Sequence, residues 1–313
     1  MSQASKKILK TQYDNGIVRE ALHYYAKTVL PKVLPIFPAL IYLSSKTVGA
    51  TPENANPVAA AMMLITASGD IHDDIVDNSK AKFACETVFG KYGRDIALLA
   101  GDVLLTQGSV ALQNGCSSLT CKQRKTIGDL VTEAMFEISK AEAIETSLWH
   151  KAKVSPEEYF EVIRHKGVVA ELHCRICGLI GGADKKTIEY LASYGRTIGV
   201  LATVKEEFVD MSNSMELLHR INYELPPYPM LCSMQNKVVK EKFEVAKQRK
   251  FSFEDLLAVV DAVLGSSELA ALNAEFREFG RKELERNLLL KGNGGAEELR
   301  VLLEALTIEL MLV

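Results

Sequence analysis

The sequence predicts an all-α protein, and three observations support this. Apolar residues between Val58 and Ser155 recur at helical rather than alternating spacing, as in "AAAMMLITASGDIHDDIVD". The same span is rich in Ala, Leu, Met and Glu, which favour helices, and it contains no proline. Alternating β-branched and aromatic runs, which would indicate strands, are scarce. We therefore expect several long helices packed on one another.

Prolines and capping patterns predict where these helices begin and end. Ser155, Pro156 and the two following glutamates form an N-cap, an N1 proline and an acidic first turn, so a helix should begin there. It should end at "GLIGGAD", and "DKKTIEYLASYGRTIGVLATVKEEFVDMS" should form the next helix. From Lys237 onward, amphipathic helices are expected, separated near Gly265 and at "KGNGG".

Composition limits the class of protein. The 313 residues contain no linker or repeat, so we expect a single domain over residues 1–313. A net charge of -3, with 48% hydrophobic and 25% charged residues, gives no reason to expect nucleic acid as a partner. The N-terminus lacks a signal-peptide pattern, no apolar run reaches the ~18 residues of a transmembrane span, and the six cysteines lack framework spacing. These features predict a cytoplasmic protein with reduced thiols.

Two acidic clusters stand out within apolar helical sequence. Asp73, Asp74 and Asp77 lie within "HDDIVDN", and the same spacing recurs in "VKEEFVD". The second cluster consists of Glu206, Glu207 and Asp210. Residues four apart share one helix face, so each set of carboxylates can converge on one point, where their mutual repulsion favours a bound cation.

The simpler interpretation of either cluster is a solvated charged face, which is what most charge runs are. Two matched clusters on separate helices are harder to explain in that way. If they face each other across a bundle core, they supply hard oxygen ligands for Mg²⁺, which prefers carboxylates together with phosphate oxygens.

From about Pro31 to Asp210 the sequence resembles the trans-isoprenyl diphosphate synthases, also called polyprenyl synthetases. "HDDIVDN" resembles their first aspartate-rich motif, and "TVFGKYGRDIALLAGDVLL", "HKGVVAELHCRICGLIGGAD" and "YGRTIGVLATVKEEFVD" follow in the order and spacing of that family. The resemblance implies an isoprenoid synthase-type helical bundle around a central apolar cavity. It also implies Mg²⁺, with three ions per active site, holding an allylic prenyl diphosphate whose pyrophosphate leaves.

The resemblance carries most donor-side residues over to this chain. It places the metal ligands in the two acidic clusters and implies catalytic roles for Asp73, Asp74, Asp77 and Lys166. Lys82 stands where the family has the first arginine of "RRG", and Lys166 matches a lysine on the donor diphosphate. Thr203 replaces a typical glutamine and Asn222 a later lysine, which would weaken donor binding.

The acceptor side departs from the family pattern. Leu34 and Phe37 stand where the family has the lysine and arginine of "GKxxRP", Thr66 replaces a histidine, and Phe83 replaces the second arginine of "RRG". Losing three charge-assisted hydrogen bonds, each worth about 1.5 to 3 kcal/mol, would weaken isopentenyl diphosphate binding by several orders of magnitude.

These departures predict a prenyltransferase that passes the prenyl group to an unidentified acceptor other than isopentenyl diphosphate. An ordinary chain-elongating synthase, with Lys32 or Lys80 standing in for the missing cations, is one alternative. A non-catalytic partner of a prenyl synthase is the other. Ser68 and Gly69, small residues just before the first motif, predict a donor of farnesyl size or longer, and the resemblance implies a homodimer.

Overall fold

The computed structural model describes residues 8, 16–32, 36–82, 85–151, 153–248, 251–287 and 295–312. These residues are helical almost throughout, which confirms the predicted all-α class. They group into two compact units. The first consists of the described residues within Met1–Leu130, His173–Ile188 and Gly292–Gly295, and the second of those within Val131–Leu172, Glu189–Lys291 and Ala296–Val313.

The first unit contains the N-terminal helices and a short hairpin. Its elements up to residue 115 are α1 (Ile17–Tyr24), a π-helical turn (Tyr25–Val29), a 3₁₀ turn (Leu30–Lys32), α2 (Ile36–Thr47), α3 (Pro52–Val76), β1 (Ala81–Lys82), β2 (Cys85–Glu86), α4 (Val88–Tyr92) and α5 (Arg94–Gly115). The two strands pair antiparallel, with Ala81 opposite Glu86.

The second unit is built from helices alone within the part of it that is described. The remaining elements of the chain are α6 (Cys121–Trp149), α7 (Pro156–Lys166), α8 (Val168–Ile180), α9 (Lys185–Ser212), α10 (Ser214–Tyr223), α11 (Tyr228–Ser233), α12 (Lys237–Gln248), α13 (Phe253–Leu264), α14 (Ser267–Asn287) and α15 (Gly295–Leu312). Of these, α6, α8, α9 and α15 have residues in both units.

Close packing of α3 against α5 positions the first acidic cluster. A Cβ on Gly108 would lie 2.7 Å from the side chain of Ile65, and one on Gly101 would lie 2.3 Å from the His72 ring. The Ser68 hydroxyl also donates a hydrogen bond to the Gly101 carbonyl at 2.8 Å. At Gly108 the backbone of α3 also lies within 3.2 Å, so glycine is required there, whereas at Gly101 the His72 side chain would have to move.

Most predicted helix ends are confirmed. The Ser155 hydroxyl accepts from the Glu158 amide at 3.2 Å, and the Glu158 carboxylate accepts from the Ser155 amide at 3.0 Å, so a reciprocal capping box begins α7. The single helix predicted between Ser155 and "GLIGGAD" is instead divided at Gly167 into α7 and α8. Its predicted stop falls between α8 and α9, and Gly265 directly follows α13. Within "KGNGG" only Gly295 is described, and it begins α15. The β1–β2 hairpin was not predicted from the sequence.

One helix meets the length and composition criteria of a membrane span, although the sequence analysis expected no such run. This helix is α5, and a third of its 18-residue apolar stretch is buried. The buried core helix of a bundle meets the same criteria, and α5 packs extensively against α3. The finding is weak evidence for a span.

Candidate active site

The first acidic cluster lies at the C-terminal end of α3. Asp77 is the C-cap of this helix, and its amide donates to the Asp73 carbonyl at 2.9 Å. The two side chains lie one turn apart, with carboxylate oxygens within 4.8 Å of each other. A helix C-terminus carries partial negative charge, which adds to that of the carboxylates. The position therefore favours a cation.

Lys82 supplies a positive charge to this cluster from the β1–β2 hairpin. Its Nζ lies 3.0 Å from an Asp74 oxygen and 3.5 Å from an Asp73 oxygen. Burial alone would lower the pKa of the ammonium, but the neighbouring carboxylates, above all Asp73 and Asp74, raise it well above its ordinary value. Lys82 is therefore charged beside the acidic cluster, and its predicted contact with a donor diphosphate stays a prediction.

Asp70 lies one turn before Asp74, on the same side of α3. The Tyr25 hydroxyl donates to an Asp70 oxygen at 2.9 Å, so the partner of this carboxyl is a neutral hydroxyl. Burial raises the pKa of Asp70 to about 6, against the lowering effect of this hydrogen bond. Burial also raises the pKa of Asp74 to about 6, against the opposing charge of Lys82. Both ionised forms are costly in the folded state.

Replacing Asp70 with Asn is expected to stabilise the protein at pH 7.5. Because the folded-state pKa lies above the ordinary value of 3.8, the folded state binds more protons than the unfolded chain between about pH 4 and 6. Stability of the unsubstituted protein is therefore lost as the pH rises through this window. An amide keeps an acceptor for Tyr25 without the charge, so the free energy of unfolding should rise by about 1 to 3 kcal/mol at pH 7.5.

Urea unfolding in EDTA at pH 7.5 and pH 4 measures this difference. The exposed Asp261 is the matched control, and its replacement by Asn should change stability little at either pH. An Asp70→Asn protein whose gain is the same at both pH values would contradict the assignment of the shift to Asp70.

The second acidic cluster lies on α9 and is held by an arginine that the sequence analysis did not single out. Glu206 is exposed, whereas Glu207 is 6% exposed. Arg220 of α10 donates from Nη2 to both Glu207 oxygens at 3.1 Å and from Nη1 to an Asp210 oxygen at 2.8 Å. Two of the three predicted metal ligands are thus already paired with a cation.

A tyrosine links this arrangement to neighbouring helices. The Tyr159 hydroxyl of α7 lies 2.8 Å from a Glu207 oxygen and 3.1 Å from a Glu145 oxygen, and it accepts from Arg220 at 2.8 Å. Glu145 in turn pairs with Lys166 at 2.5 Å. A continuous polar network therefore joins α6, α7, α9 and α10.

Lys166 is placed within that network. Its Nζ lies 3.2 Å from a Glu142 oxygen in addition to the Glu145 contact. The side chain is 22% exposed, so it is only partly enclosed. The predicted contact with a donor diphosphate stays a prediction, and two acidic partners that the sequence analysis did not identify now stand beside this lysine.

The other predicted donor-side residues have different surroundings. The Thr203 hydroxyl donates to the Gly199 carbonyl of its own helix at 3.0 Å. The Ser68 side chain is buried against α5, so it faces packed backbone. At Gly69, by contrast, a Cβ would meet no atom within 4 Å, and the residue is exposed. Of the two small residues, Gly69 is the one beside open space.

On the acceptor side, only part of the predicted set can be located. The Phe37 ring stacks on the buried His173 ring, with centroids 5.0 Å apart and an interplanar angle of 21°. Thr66 is half-buried on α3, and the exposed Asn222 amide donates to the Leu218 carbonyl. Leu34 and Phe83 lie outside the described residues.

The two clusters differ in how well they suit Mg²⁺. At the first, Asp73 and Asp77 offer oxygens one turn apart, and the partly exposed Lys82 is held by ion pairs to Asp73 and Asp74. This donor set fits the ion. At the second, Glu207 is enclosed and hydrogen-bonded, so it does not fit. The clusters belong to different units, and a shared site stays a prediction.

The polyprenyl synthetase family profile matches residues 19–249, which is most of the chain. The chain belongs to the polyprenyl synthetase family. The resemblance identified from "HDDIVDN" and its following segments is thereby confirmed, whereas the altered acceptor residues are a feature of this chain that the family match does not test.

A curated relative is the short chain isoprenyl diphosphate synthase of Methanothermobacter thermautotrophicus, 32% identical over 185 residues. The match covers 58% of this chain and 56% of the relative, so this chain spans little more than half the length of that protein. A geranylgeranyl diphosphate synthase of Methanosarcina mazei is 28% identical, with 59% of this chain and 56% of the relative covered.

Solved structures establish the fold. The crystal structure of geranylgeranyl pyrophosphate synthetase from Pyrococcus horikoshii Ot3 superposes with a TM-score of 0.83 at 21% identity, covering 98% of this chain and 95% of that one. The protein therefore has the all-α isoprenoid synthase fold.

Proposed function

We propose that this protein is a Mg²⁺-dependent isoprenyl diphosphate synthase, which extends an allylic diphosphate by condensation with isopentenyl diphosphate. The observation that carries the proposal is the pair Asp73 and Asp77 on α3, one turn apart beside Lys82, in a polyprenyl synthetase chain. Relatives named as geranylgeranyl and farnesyl diphosphate synthases support chain elongation. They favour it over the transfer to another acceptor that the sequence analysis put first.

The chemistry requires the allylic carbon–oxygen bond to break, with both electrons leaving on pyrophosphate. Mg²⁺, when bound at the first cluster, would neutralise charge on the departing oxygens. Asp73 and Asp77 would hold the metal, and Lys82 and Lys166 would bind diphosphate oxygens through their ammonium groups. A new carbon–carbon bond forms from the isopentenyl double bond, and the proton then lost goes to the released pyrophosphate.

The prenyl chain length follows from the residues before the first motif. Gly69 leaves open space beside α3, whereas Ser68 is turned into the α5 contact. Relatives named for geranylgeranyl and farnesyl products support a donor or product of that size. We therefore propose a farnesyl or longer prenyl group, with Gly69 as the position that admits it.

Transfer to an acceptor other than isopentenyl diphosphate is the second candidate, and one observation favours it. Phe37, at a position where the family has arginine, forms an aromatic stack with His173 in place of a cation. An acceptor with an aromatic or apolar body suits such a surface. The non-catalytic partner is a third candidate, and the intact carboxylate pair of the first cluster argues against it.

Titration of isopentenyl diphosphate decides between the first two candidates. With Mg²⁺ and geranyl, farnesyl or geranylgeranyl diphosphate, a chain-elongating synthase gives saturable, mass-detected elongation at micromolar acceptor. Release of pyrophosphate without elongation, increased by cell extract, would support another acceptor. Failure to bind the allylic diphosphate with Mg²⁺ would support the non-catalytic partner and contradict the proposal.

Phe37→Arg sharpens this experiment because it restores the cation of the family pattern. One charge-assisted hydrogen bond is worth about 1.5 to 3 kcal/mol, so the KM for isopentenyl diphosphate should fall by roughly 10- to 100-fold. Phe37→Leu is the matched control, since it removes the ring without adding charge, and should leave that KM unchanged or raised.

Assembly and metal number complete the proposal. A homodimer is the expected assembly, and α5 exposes the apolar side chains of Leu98, Leu99 and Val110, which a second copy would cover. Three Mg²⁺ per active site are also expected, and this number depends on whether the second cluster, where Arg220 pairs with Glu207 and Asp210, binds an ion. A cytoplasmic location stays a prediction.

A further inference from the structure

Each of the three guanidinium nitrogens of Arg220 donates to an acceptor. The residue is 5% exposed, and Nε donates to the Leu225 carbonyl at 3.1 Å. The same nitrogen lies 2.9 Å from a Glu224 oxygen, while Nη1 and Nη2 reach Asp210 and Glu207. A guanidinium cannot lose its charge in a protein. A permanent positive charge is therefore fixed inside the second acidic cluster.

The Glu207 carboxylate is surrounded by hydrogen-bond donors. Its Oε1 accepts from the Tyr159 hydroxyl at 2.8 Å and from Arg220 at 3.1 Å. Its Oε2 accepts from the Tyr228 amide at 2.7 Å and from Arg220 at 3.1 Å. Nη2 of Arg220 shares its two hydrogens among both Glu207 oxygens and the Tyr159 hydroxyl, so each Glu207 oxygen lies within hydrogen-bond distance of two donors. To bind a metal, Glu207 would have to break this buried set.

The first cluster differs from the second in how firmly its paired cation is held. Lys82 has a compact ammonium on a flexible stem, its side chain is 28% exposed, and its contacts are ion pairs to two carboxylates. It can turn away when another cation arrives. Arg220 is locked by its planar fork of donors to acceptors on α7 and α9 and in the segment that follows α10. The two clusters share a spacing in sequence, yet one holds an exchangeable cation and the other a fixed one.

We propose that Arg220 permanently takes the place of a divalent cation at the second acidic cluster. Glu207 is then a positioning residue that fixes Arg220 and, through Tyr159, the Glu145–Lys166 pair, and it is not a metal ligand. The inference rests on the proposed function, because it concerns how the enzyme binds Mg²⁺ with a diphosphate. Its consequence is that Glu207 and Asp210 give no ligand to a divalent ion, and that the exposed Glu206 alone does not hold one, so fewer than three divalent ions bind per chain.

Counting Mn²⁺ ions tests this without measuring activity. Free Mn²⁺ is monitored by electron paramagnetic resonance while the full chain is titrated in the presence of inorganic pyrophosphate. The wild-type chain should bind fewer than three ions. Glu207→Gln should leave the count unchanged and the affinity within about twofold, although its Tm falls. Arg220→Met should bind one ion more than the wild type, a gain that loss of structure cannot produce.

Glu283→Gln is the matched control for removing a buried carboxylate. Glu283 is 4% exposed in the same unit as the second cluster, and its hydrogen bonds come from Ser193 and Thr197 rather than from Arg220 or Tyr159. Its replacement should lower the Tm and leave Mn²⁺ binding unchanged, as Glu207→Gln should. If Arg220→Met does not fold, the comparison between these two glutamate variants decides.

The outcomes separate this inference from the proposed function. A loss of one ion, or a weakening of more than tenfold, in Glu207→Gln but not in Glu283→Gln would overturn the role of Arg220. Three ions bound by the wild-type chain would overturn it as well. Unchanged Mn²⁺ binding in Asp73→Asn would instead overturn the metal assignment of the proposed function.

Discussion

Asp73→Ala is expected to lower turnover of an allylic diphosphate by at least about 10³-fold. The substitution removes one of two carboxylates that lie one turn apart on α3, within 4.8 Å of each other. Metal neutralisation of developing charge contributes several kcal/mol to a transition state, and each 1.36 kcal/mol is a factor of ten in rate. The loss should appear in kcat, because the charge that needs neutralising grows as the bond breaks.

The measurement is pyrophosphate release with farnesyl diphosphate at saturating Mg²⁺. Asp261→Ala, at an exposed position of α13, is the control and should leave kcat unchanged. The Tm of both variants should remain close to that of the wild type, since Asp73 is only half-buried. Turnover in Asp73→Ala within tenfold of the wild type would show that α3 does not carry the metal site.

Arg220→Met is expected to lower the free energy of unfolding by about 3 to 5 kcal/mol. Removing one partner of a buried ion pair leaves the other charge without compensation, and here Glu207 and Asp210 both lose their cation. Burial already raises the pKa of the Glu207 carboxyl, and the Arg220 charge is the main opposing influence. Most domains have only about 5 to 15 kcal/mol of stability, so the effect is large.

Urea unfolding of three proteins checks the cause of this loss. Adding Glu207→Gln to Arg220→Met should recover at least about 1 kcal/mol, because one of the stranded charges is removed. Arg286→Met is the surface control: its guanidinium is 64% exposed and pairs with Glu283 at 3.5 Å, so the loss should stay below about 1 kcal/mol. Equal losses at the two arginines would contradict the buried network.

The helices and the first acidic cluster could be predicted because their signals are local. Each of these signals involves residues that are close in sequence: the helical spacing of apolar residues, the capping pattern at Ser155, and the one-turn separation of Asp73 and Asp77. The hairpin that carries Lys82 is two residues per strand, too short for an alternating pattern. Its contact with Asp74 therefore became visible only in the folded chain.

The partners of the second cluster could not be predicted from its sequence. Its spacing matches that of the first, so the sequence predicted the same role for both. Whether a carboxylate faces a metal or an arginine depends on tertiary contacts, and Glu207 meets Tyr159, 48 residues away, and Arg220, 13 residues away. No pattern in "VKEEFVD" distinguishes these cases. On the acceptor side, the Phe37–His173 stack likewise joins residues of two distant helices.

The π-helical turn from Tyr25 to Val29 has a consequence for how this chain tolerates change in length. A π turn accommodates one residue more than an α turn over the same span, so removing one residue from it would favour an ordinary α turn. That shorter helix would rotate the preceding or following residues by about 100°. Tyr25 would then lose its register with Asp70. The irregular turn thus sets the position from which the Tyr25 hydroxyl reaches Asp70, beside the first cluster. A deletion here that left α1 helical would still remove the hydrogen bond to Asp70.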